Sequence, residues 1–303
     1  MPSSSTTRDL RFLDPGVIAR LGTMELKART VVEGFLSGLH RSPYKGFSVE
    51  FAEYRQYLPG DDLNTLDWKV YARTDRHYVK KFEEETNLEC HLLLDQSASM
   101  AYRGASAMSK LEYGSVLAAS LAYLMNRQRD ATGFIAFDEQ IRVRLPAAAR
   151  SGHLHALLVA LEGVKPGRKA NVGRPLHQLA EALQKRSLVI LISDLLDDPE
   201  PVIKGLRHLK FRGTEVVVFQ VLDPNELTFP FKGASRFTDV ETDEQVVADP
   251  ARARAAYLRE LAGLTLRYDR ELRGAGIDYV QLDTSKPLDF ALTTYLSARG
   301  RRQ

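Results

Sequence analysis

The sequence predicts an α/β protein in which a doubly wound, mostly parallel sheet carries helices on both faces, with an N-terminal helical and β extension. From residue 87 onward, short apolar runs alternate with longer amphipathic runs, which is typical of parallel strands connected by helices. The chain has 303 residues, of which 44% are hydrophobic and 27% charged, so it can bury a large core without disulfides. A single α/β domain with additions, or two domains, fits this length.

The predicted strands and helices of this domain follow one another regularly. A mostly buried strand at 88–94 leads to a helix at 109–128, in which Ser109 and Glu112 have the spacing of a capping box. Apolar runs and helical periodicity predict the other elements. They are strands at 132–137, 140–145, 188–192, 215–222 and 277–282, and helices at 153–162, 176–185, 201–209, 250–273 and 287–298.

The region before the sheet has a different pattern. It contains a predicted helix at 17–39, interrupted near Gly22, and two alternating runs at 47–57 and 78–84 that indicate half-buried strands. The whole chain therefore divides into five predicted segments. They are a disordered tail at 1–9, a helical and β segment at 10–86, the sheet core at 87–223, a small β appendage at 224–249, and the final helices and strand at 250–303.

Composition excludes several classes of partner. Cys90 is the only cysteine, so no disulfide can form within one chain. No run approaches the roughly 18 apolar residues that cross a bilayer, and the N-terminus lacks an apolar signal core. The net charge of +3 is too small to indicate nucleic-acid binding. We therefore predict a cytoplasmic protein without a membrane span or a nucleic-acid partner.

Oxygen-bearing side chains follow two of the predicted strands. Asp95 ends the first strand, with Ser97 and Ser99 at two-residue spacing, and Asp194 follows the strand at 188–192. Parallel strands bring their carboxyl ends to one edge of a sheet, so these hard oxygen donors can face one Mg²⁺ ion. The alternative is that Asp95 caps the following turn and the serines bond to loop backbone.

Two stretches resemble known families. Residues 92–100 (LLLDQSASM), together with 188–194, resemble the metal-ion-dependent adhesion site of von Willebrand factor A domains. Residues 50–62, 67–74 and 82–86 resemble the signature of the DUF58 family. The resemblance implies a von Willebrand factor A or Rossmann-like fold, with Mg²⁺ or Mn²⁺ on Asp95, Ser97, Ser99 and Asp194. It also implies a MoxR-type AAA+ ATPase and its protein client as partners, and the short form of the family that has no membrane helices.

The sequence departs from these families at two positions. Ala170 stands where adhesion sites supply a threonine hydroxyl, and an alanine cannot coordinate a cation. The neighbouring Asn171 could offer an amide oxygen instead if the loop shifts by one residue, so we include it among the predicted ligands. Asn64 stands where the DUF58 signature usually has arginine. The first departure predicts a cation site that is weakened or altered, or that binds no ion.

Dense charges surround Trp68 in the N-terminal signature. Asp61, Asp62 and Asp67 lie close to it in sequence, together with basic residues such as Arg73. Paired carboxylates could support acid–base catalysis, but a structural network of ion pairs and hydrogen bonds has the same composition. We favour the network, and a surface for docking a partner is the functional interpretation that we would test first.

The function predicted from these residues is a non-enzymatic, metal-ion-dependent protein-interaction module that assists a MoxR-type ATPase in assembling or activating other proteins. The alternative is a divalent-metal-dependent phosphohydrolase with Asp95 as nucleophile. Phosphatases of that kind carry a second aspartate as the acid, where this chain has Ser97. The sequence also contains no Gly-x-Ser-x-Gly elbow and no Walker loop. We therefore assign no catalytic residue and no organic cofactor.

Overall fold

The structure is a computed structural model that describes residues 14–41, 54–56, 78–80, 89–167, 171–183, 187–233, 235–239 and 244–300. The chain divides into two compact units, one of residues 1–40 with 88–303 and one of residues 41–87. The smaller unit contains an antiparallel pair of short strands, β1 (Tyr54–Gln56) and β2 (Tyr78–Lys80). The tail at 1–9, Asn64 and the charged residues around Trp68 lie outside the described residues.

The larger unit is built on a six-stranded sheet. Its strands are β3 (Glu89–Asp95), β4 (Ala131–Phe137), β5 (Ile141–Ala148), β6 (Ser187–Ser193), β7 (Glu215–Leu222) and β10 (Asp278–Asp283). They lie in the order β10-β7-β6-β3-β4-β5. All neighbouring strands are parallel except β5, which runs antiparallel to β4 at one edge. The predicted doubly wound, mostly parallel sheet is confirmed.

Helices cover both faces of this sheet. They are α1 (Pro15–Ala19), α2 (Met24–Arg41), α3 (Lys110–Arg127), α4 (His153–Glu162), α5 (Gly173–Ala182), α6 (Pro199–Phe211), α7 (Pro224–Thr228), α8 (Pro250–Gly274) and α9 (Asp289–Gly300). One apolar core packs α1 to α4 and α9 against the sheet, and a second packs α5, α6 and α8 against the opposite face. Within β3, Leu92 and Leu94 enter the first core and Leu93 the second, as the alternation of a strand requires.

The strand order creates a switch point beside β3. The chain leaves β3 towards β4 and β5 on one side, and then continues with β6, β7 and β10 on the other side. The crevice at the carboxyl ends of β3 and β6 is therefore the place where open α/β sheets bind ligands. Asp95 is the last residue of β3, and Asp194 follows the last residue of β6.

The helices near the N-terminus differ from the predicted segmentation. The predicted break near Gly22 is confirmed, because α1 ends at Ala19 and α2 begins at Met24. Ile18 of α1 and Val31 of α2 are buried in the first core of the sheet unit. These two helices thus pack with the sheet, although the sequence groups them with the segment at 10–86. Apolar periodicity identifies a buried helix face but not the element that covers it.

Two prolines shift element boundaries from the predicted positions. Helix α5 begins at Gly173, three residues before the predicted start, because Pro175 lies in its first turn, where its missing N–H has no partner to lose. Strand β5 continues past the predicted residue 145 and contains Pro146. It tolerates this proline because it is an edge strand. The capping box of Ser109 and Glu112 at the start of α3 is confirmed.

The segment at 224–249 contains α7 and an antiparallel hairpin of β8 (Ser235–Thr238) and β9 (Gln245–Ala248). Phe229 follows α7, and its ring centroid lies 4.7 Å from that of Tyr257 on α8 and 5.7 Å from that of Phe237 on β8. This aromatic cluster connects the hairpin to α8. Among the helices that the structure describes, none is both long enough and apolar enough to cross a bilayer.

Helices α5 and α6 pack closely against each other where Gly205 of α6 faces α5. A Cβ on Gly205 of α6 would lie 2.8 Å from the Cβ of Leu176 and 3.3 Å from the carbonyl oxygen of Gly173. We expect Gly205→Ala to lower the free energy of unfolding by about 1–3 kcal/mol because the helices must separate. Gly263→Ala on α8 is the matched control, since its Cβ would meet nothing within 4 Å. That change should stabilise the protein by about 0.5–1 kcal/mol, because alanine is the better helix former.

Urea unfolding of both variants beside the wild type measures these effects. Equal stabilities for Gly205→Ala and Gly263→Ala would contradict the close packing of α5 against α6.

Candidate metal-binding and interaction site

Asp95 lies at the centre of the carboxyl edge of the sheet. Its side chain is fully buried. One carboxylate oxygen accepts the backbone N–H of Ser97 at 2.8 Å, and the other accepts the hydroxyl of Ser193 at 2.6 Å. The Ser193 hydroxyl oxygen in turn accepts the N–H of Leu195 at 3.1 Å. The ends of β3 and β6 are thus joined through Ser193, and each Asp95 oxygen keeps a lone pair for a further ligand.

The two serines of the Asp95 loop also converge. The hydroxyl oxygens of Ser97 and Ser99 are 3.1 Å apart at the start of a 3₁₀ turn, Ala98–Ala101. Adjacent ligands of an octahedral Mg²⁺, at about 2.0–2.1 Å from the ion, would be about 2.9 Å apart. The spacing of these hydroxyls therefore suits two neighbouring ligands of one cation.

Asp194 is 2% exposed and has a partner that the sequence analysis did not identify. One of its carboxylate oxygens accepts the Lys110 ammonium at 2.8 Å. The same ammonium donates to Glu226 of α7 at 2.6 Å. Lys110 is the first residue of α3 and is fully buried. A buried ammonium thus connects the carboxyl end of β6 to α7.

The backbone around Asp194 is fixed by further contacts. Its carbonyl oxygen accepts the side-chain amide of Gln220 at 3.0 Å, and the Tyr279 hydroxyl donates to the amide oxygen of Gln220. Leu195 is buried and has a φ of 53°, a left-handed conformation that is unusual for a bulky residue. Strain of this kind is retained where surrounding contacts determine the conformation, and it occurs often at functional sites.

The ionisation of the site reflects burial and crowded charge. Burial and, second to it, the neighbouring Asp194 carboxylate raise the pKa of Asp95 to about 7, although hydrogen bonds from Ser193 and Ser97 oppose the rise. Burial by itself would lower the pKa of Lys110, but the Asp194 and Glu226 carboxylates raise it above its ordinary value. Lys110 therefore stays charged, whereas Asp95 is only partly ionised near neutral pH. Burial also raises the pKa of Glu226, against the opposing effect of Lys110.

The predicted ligand Asn171 lies at the start of α5. It is exposed, and its side-chain oxygen accepts the N–H of Arg174, in the first turn of that helix, at 3.2 Å. Ala170, which stands in the threonine position, lies outside the described residues. The structure brings Asp95, Ser97, Ser99 and Asp194 to one edge of the sheet and places Asn171 beside α5.

The donors at this edge suit a hard divalent cation in chemical type, since they are two carboxylates and two hydroxyls. Across the described ranges, no group of three or more His, Cys, Asp or Glu side chains is arranged to hold a metal ion. A cation bound here would therefore depend on the serine hydroxyls and on water for much of its coordination. Burial is the main cause of the raised pKa of Asp95, and a bound cation would offset this cost of ionising the buried carboxyl group.

The alternative use of Asp95 as a nucleophile receives no support from this geometry. The Asp95 side chain has no exposed surface from which to attack a phosphorus atom. Ser97 occupies the position in which a second acid would be needed.

Lys110 and Glu226 are the two site residues that the sequence analysis missed. One signal for Lys110 was available, since a lysine in the first turn of a helix faces the positive end of the helix dipole and requires a compensating anion. Glu226 follows Asp223 at capping-box spacing, and the structure forms that box. Neither signal identifies the residues that Lys110 contacts, because those contacts span 84 and 116 residues of sequence.

Three solved structures are similar to parts of this chain. BatB from Bacteroides thetaiotaomicron is 17% identical, with a TM-score of 0.48, and the match covers 71% of this chain and 98% of that one. An aerotolerance-related membrane protein from Bacteroides fragilis is 20% identical, with a TM-score of 0.46, covering 69% and 98%. The SpRpn10 VWA domain is 11% identical, with a TM-score of 0.38, covering 69% and 94%. All three TM-scores are below 0.5, so the fold is described from the strand order of this chain and not from these structures.

Curated relatives extend over almost the whole chain. Uncharacterized proteins of Mycobacterium tuberculosis and Mycobacterium bovis are each 29% identical over 300 residues, which is 95% of this chain and 91% of theirs. A family model described as "Protein of unknown function DUF58" matches residues 53–263, well over half of the chain. The chain therefore belongs to the DUF58 family.

Proposed function

We propose that this DUF58 protein is a non-enzymatic protein-interaction module, and that its binding surface lies at the carboxyl edge of the sheet around Asp95. The observation that carries the proposal is the meeting of Asp95, Ser97, Ser99 and Asp194 at the switch point between β3 and β6. Oxygen donors at such a position suit the recognition of a ligand through a bound cation. The full burial of Asp95 supports binding of a small cation over attack on a phosphoester.

We further propose that Mg²⁺ or Mn²⁺ takes part in this binding. Several ionisable groups lie at this edge, among them the carboxyl groups of Asp95, Asp194 and Glu226 and the ammonium of Lys110. Ser97, Ser99 and the Asp95 carboxylate would hold the ion, with Asp194 beside them. When bound, the ion would supply positive charge and an open coordination position for a carboxylate of the partner.

The partner that we propose is a MoxR-type AAA+ ATPase, together with the protein that this ATPase assembles or activates. The support for this partner is the DUF58 resemblance described in the sequence analysis, because family members are often encoded beside such ATPases. The proposed role is that of an adaptor, which requires a binding surface and no catalytic group.

Binding of the purified chain to a MoxR-type ATPase from the same organism tests this function. We expect Mg²⁺ to strengthen the complex at least tenfold, and we expect the double variant Asp95→Ala with Asp194→Ala to lose that gain. The control is Glu181→Ala with Glu260→Ala, which removes two exposed carboxylates elsewhere. Circular dichroism verifies that each variant is folded. Binding that is equal in wild type and the Asp95/Asp194 variant, with or without EDTA, would show that this edge is not the interaction site.

A further inference from the structure

The Lys110 ammonium occupies one side of the Asp194 carboxylate, where a metal ion could otherwise bind. Its ammonium is fully buried, and it donates to one Asp194 oxygen at 2.8 Å and to Glu226 at 2.6 Å. The face of the Tyr102 ring lies 5.9 Å from the nitrogen, within the range of a cation–π contact. All of these groups contact the charged head of the side chain, so the position of the positive charge is well determined.

The backbone of α3 also fixes the position of the Lys110 ammonium. Lys110 is the first residue of α3, and the capping box of Ser109 and Glu112 fixes where that helix begins. Most of α3 is buried in the first core of the sheet unit, so the helix has little freedom to carry Lys110 away. A lysine at a helix N-terminus is disfavoured by the helix dipole, and the pairing with Asp194 and Glu226 compensates for it.

A fixed ammonium has a specific consequence for a neighbouring metal site. It supplies one positive charge beside Asp194 and uses a lone pair of one of its carboxylate oxygens. Among the described residues, the other Asp194 oxygen accepts a long contact, 3.4 Å, from the N–H of Leu196. A divalent ion at the Asp95 loop would meet a carboxylate whose charge is partly compensated by the ammonium that it shares with Glu226. The ion would also be repelled by that ammonium in a medium of low dielectric.

We propose that Lys110 is a resident counter-cation of Asp194 that keeps the affinity of the Asp95 loop for divalent cations low. This inference rests on the proposed function, since it concerns the same site. The Lys110 ammonium thus supplies part of the positive charge that a metal ion would otherwise bring to Asp194. A cation is then retained tightly only where a further carboxylate, such as one from the bound partner, adds to its coordination.

Mn²⁺ titration of the purified full-length chain, followed by calorimetry and by the electron paramagnetic resonance signal of free Mn²⁺, tests the proposal. The main variant is Lys110→Gln with Glu226→Gln. It has the same net charge as the wild type, because one ammonium and one carboxylate are removed together, and it leaves no unpaired partner at Glu226. We expect this variant to bind Mn²⁺ at least tenfold more tightly than the wild type. Lys204→Gln, at an exposed lysine on α6, should bind as the wild type does.

Adding Asp194→Asn to the main variant should abolish the gain, because the effect acts through that carboxylate. A gain that persists without Asp194, or an affinity equal to or weaker than that of the wild type, would overturn the proposal. If the wild type already binds tightly and the variant does not exceed it, only the role of Lys110 fails and the cation site remains. If neither protein binds Mn²⁺, the role of Lys110 and the metal dependence of the proposed function both fail, whereas the partner assay still decides whether this edge binds protein.

Discussion

Replacement of Lys110 by methionine is expected to lower the free energy of unfolding by about 3–5 kcal/mol, the cost typical of breaking a buried ion pair from one side. Methionine fills a similar volume, so the loss arises from charge and not from a cavity. Asp194 is 2% exposed, and Glu226 is also largely buried, so neither carboxylate can recover its hydration. Chemical denaturation near pH 8, where carboxyl groups are least able to escape the cost by protonation, gives the largest effect.

Two comparisons separate this explanation from a general loss of packing. Combining Lys110→Met with Asp194→Asn and Glu226→Gln removes the charges of all three paired residues. We expect most of the lost stability to return in this triple variant. Lys204→Met removes an exposed lysine that pairs with Glu200 at 3.5 Å, and it should change stability by less than about 1 kcal/mol. If Lys110→Met proved as mild as Lys204→Met, the ammonium would not be structurally paired as described.

The elements of the sheet were predictable because their signals are local. β7 has the predicted bounds, and β6 differs by one residue at each end, since an uninterrupted apolar run specifies a strand that is buried on both faces. The capping box at Ser109 is a contact between residues three positions apart, so its spacing can be read directly from the sequence. The convergence of Asp95 and Asp194 followed from one topological rule about the ends of parallel strands.

The rest of the site depends on contacts that the sequence does not encode locally. Lys110 meets Glu226 across 116 residues, and Gln220 supports the Asp194 carbonyl because β6 and β7 are neighbours in a particular register. The family resemblance predicts Asn171 as a ligand, whereas its amide oxygen accepts the backbone N–H of Arg174 in the structure. A short-range alternative of this kind is open to every asparagine near a helix start.

Asp95→Asn is expected to make the protein more stable than the wild type at high pH, by an amount that grows with pH. The unfolded-state pKa of Asp95 is 3.8, and burial with the Asp194 charge raises it to about 7 in the folded state. Between these values the folded protein holds a proton that the unfolded chain has released, so the stability of the wild type falls as pH rises through this window. A shift of about three pKa units corresponds to about 4 kcal/mol.

Urea unfolding at pH 4, 6 and 8 measures this dependence as the difference in free energy of unfolding between Asp95→Asn and wild type. Ionisable groups that do not interact with Asp95 cancel in that difference, which should change by about 4 kcal/mol in favour of asparagine between pH 4 and pH 8. Glu181→Gln, at an exposed site, controls for the loss of one carboxylate. Added Mn²⁺ should reduce the loss of stability in the wild type and leave the variant unchanged, because a cation favours the ionised carboxylate.

A difference that stayed constant with pH would mean that Asp95 ionises without cost. The site would then have no unbalanced charge for a cation to relieve, and the main electrostatic support for metal binding at this edge would be lost.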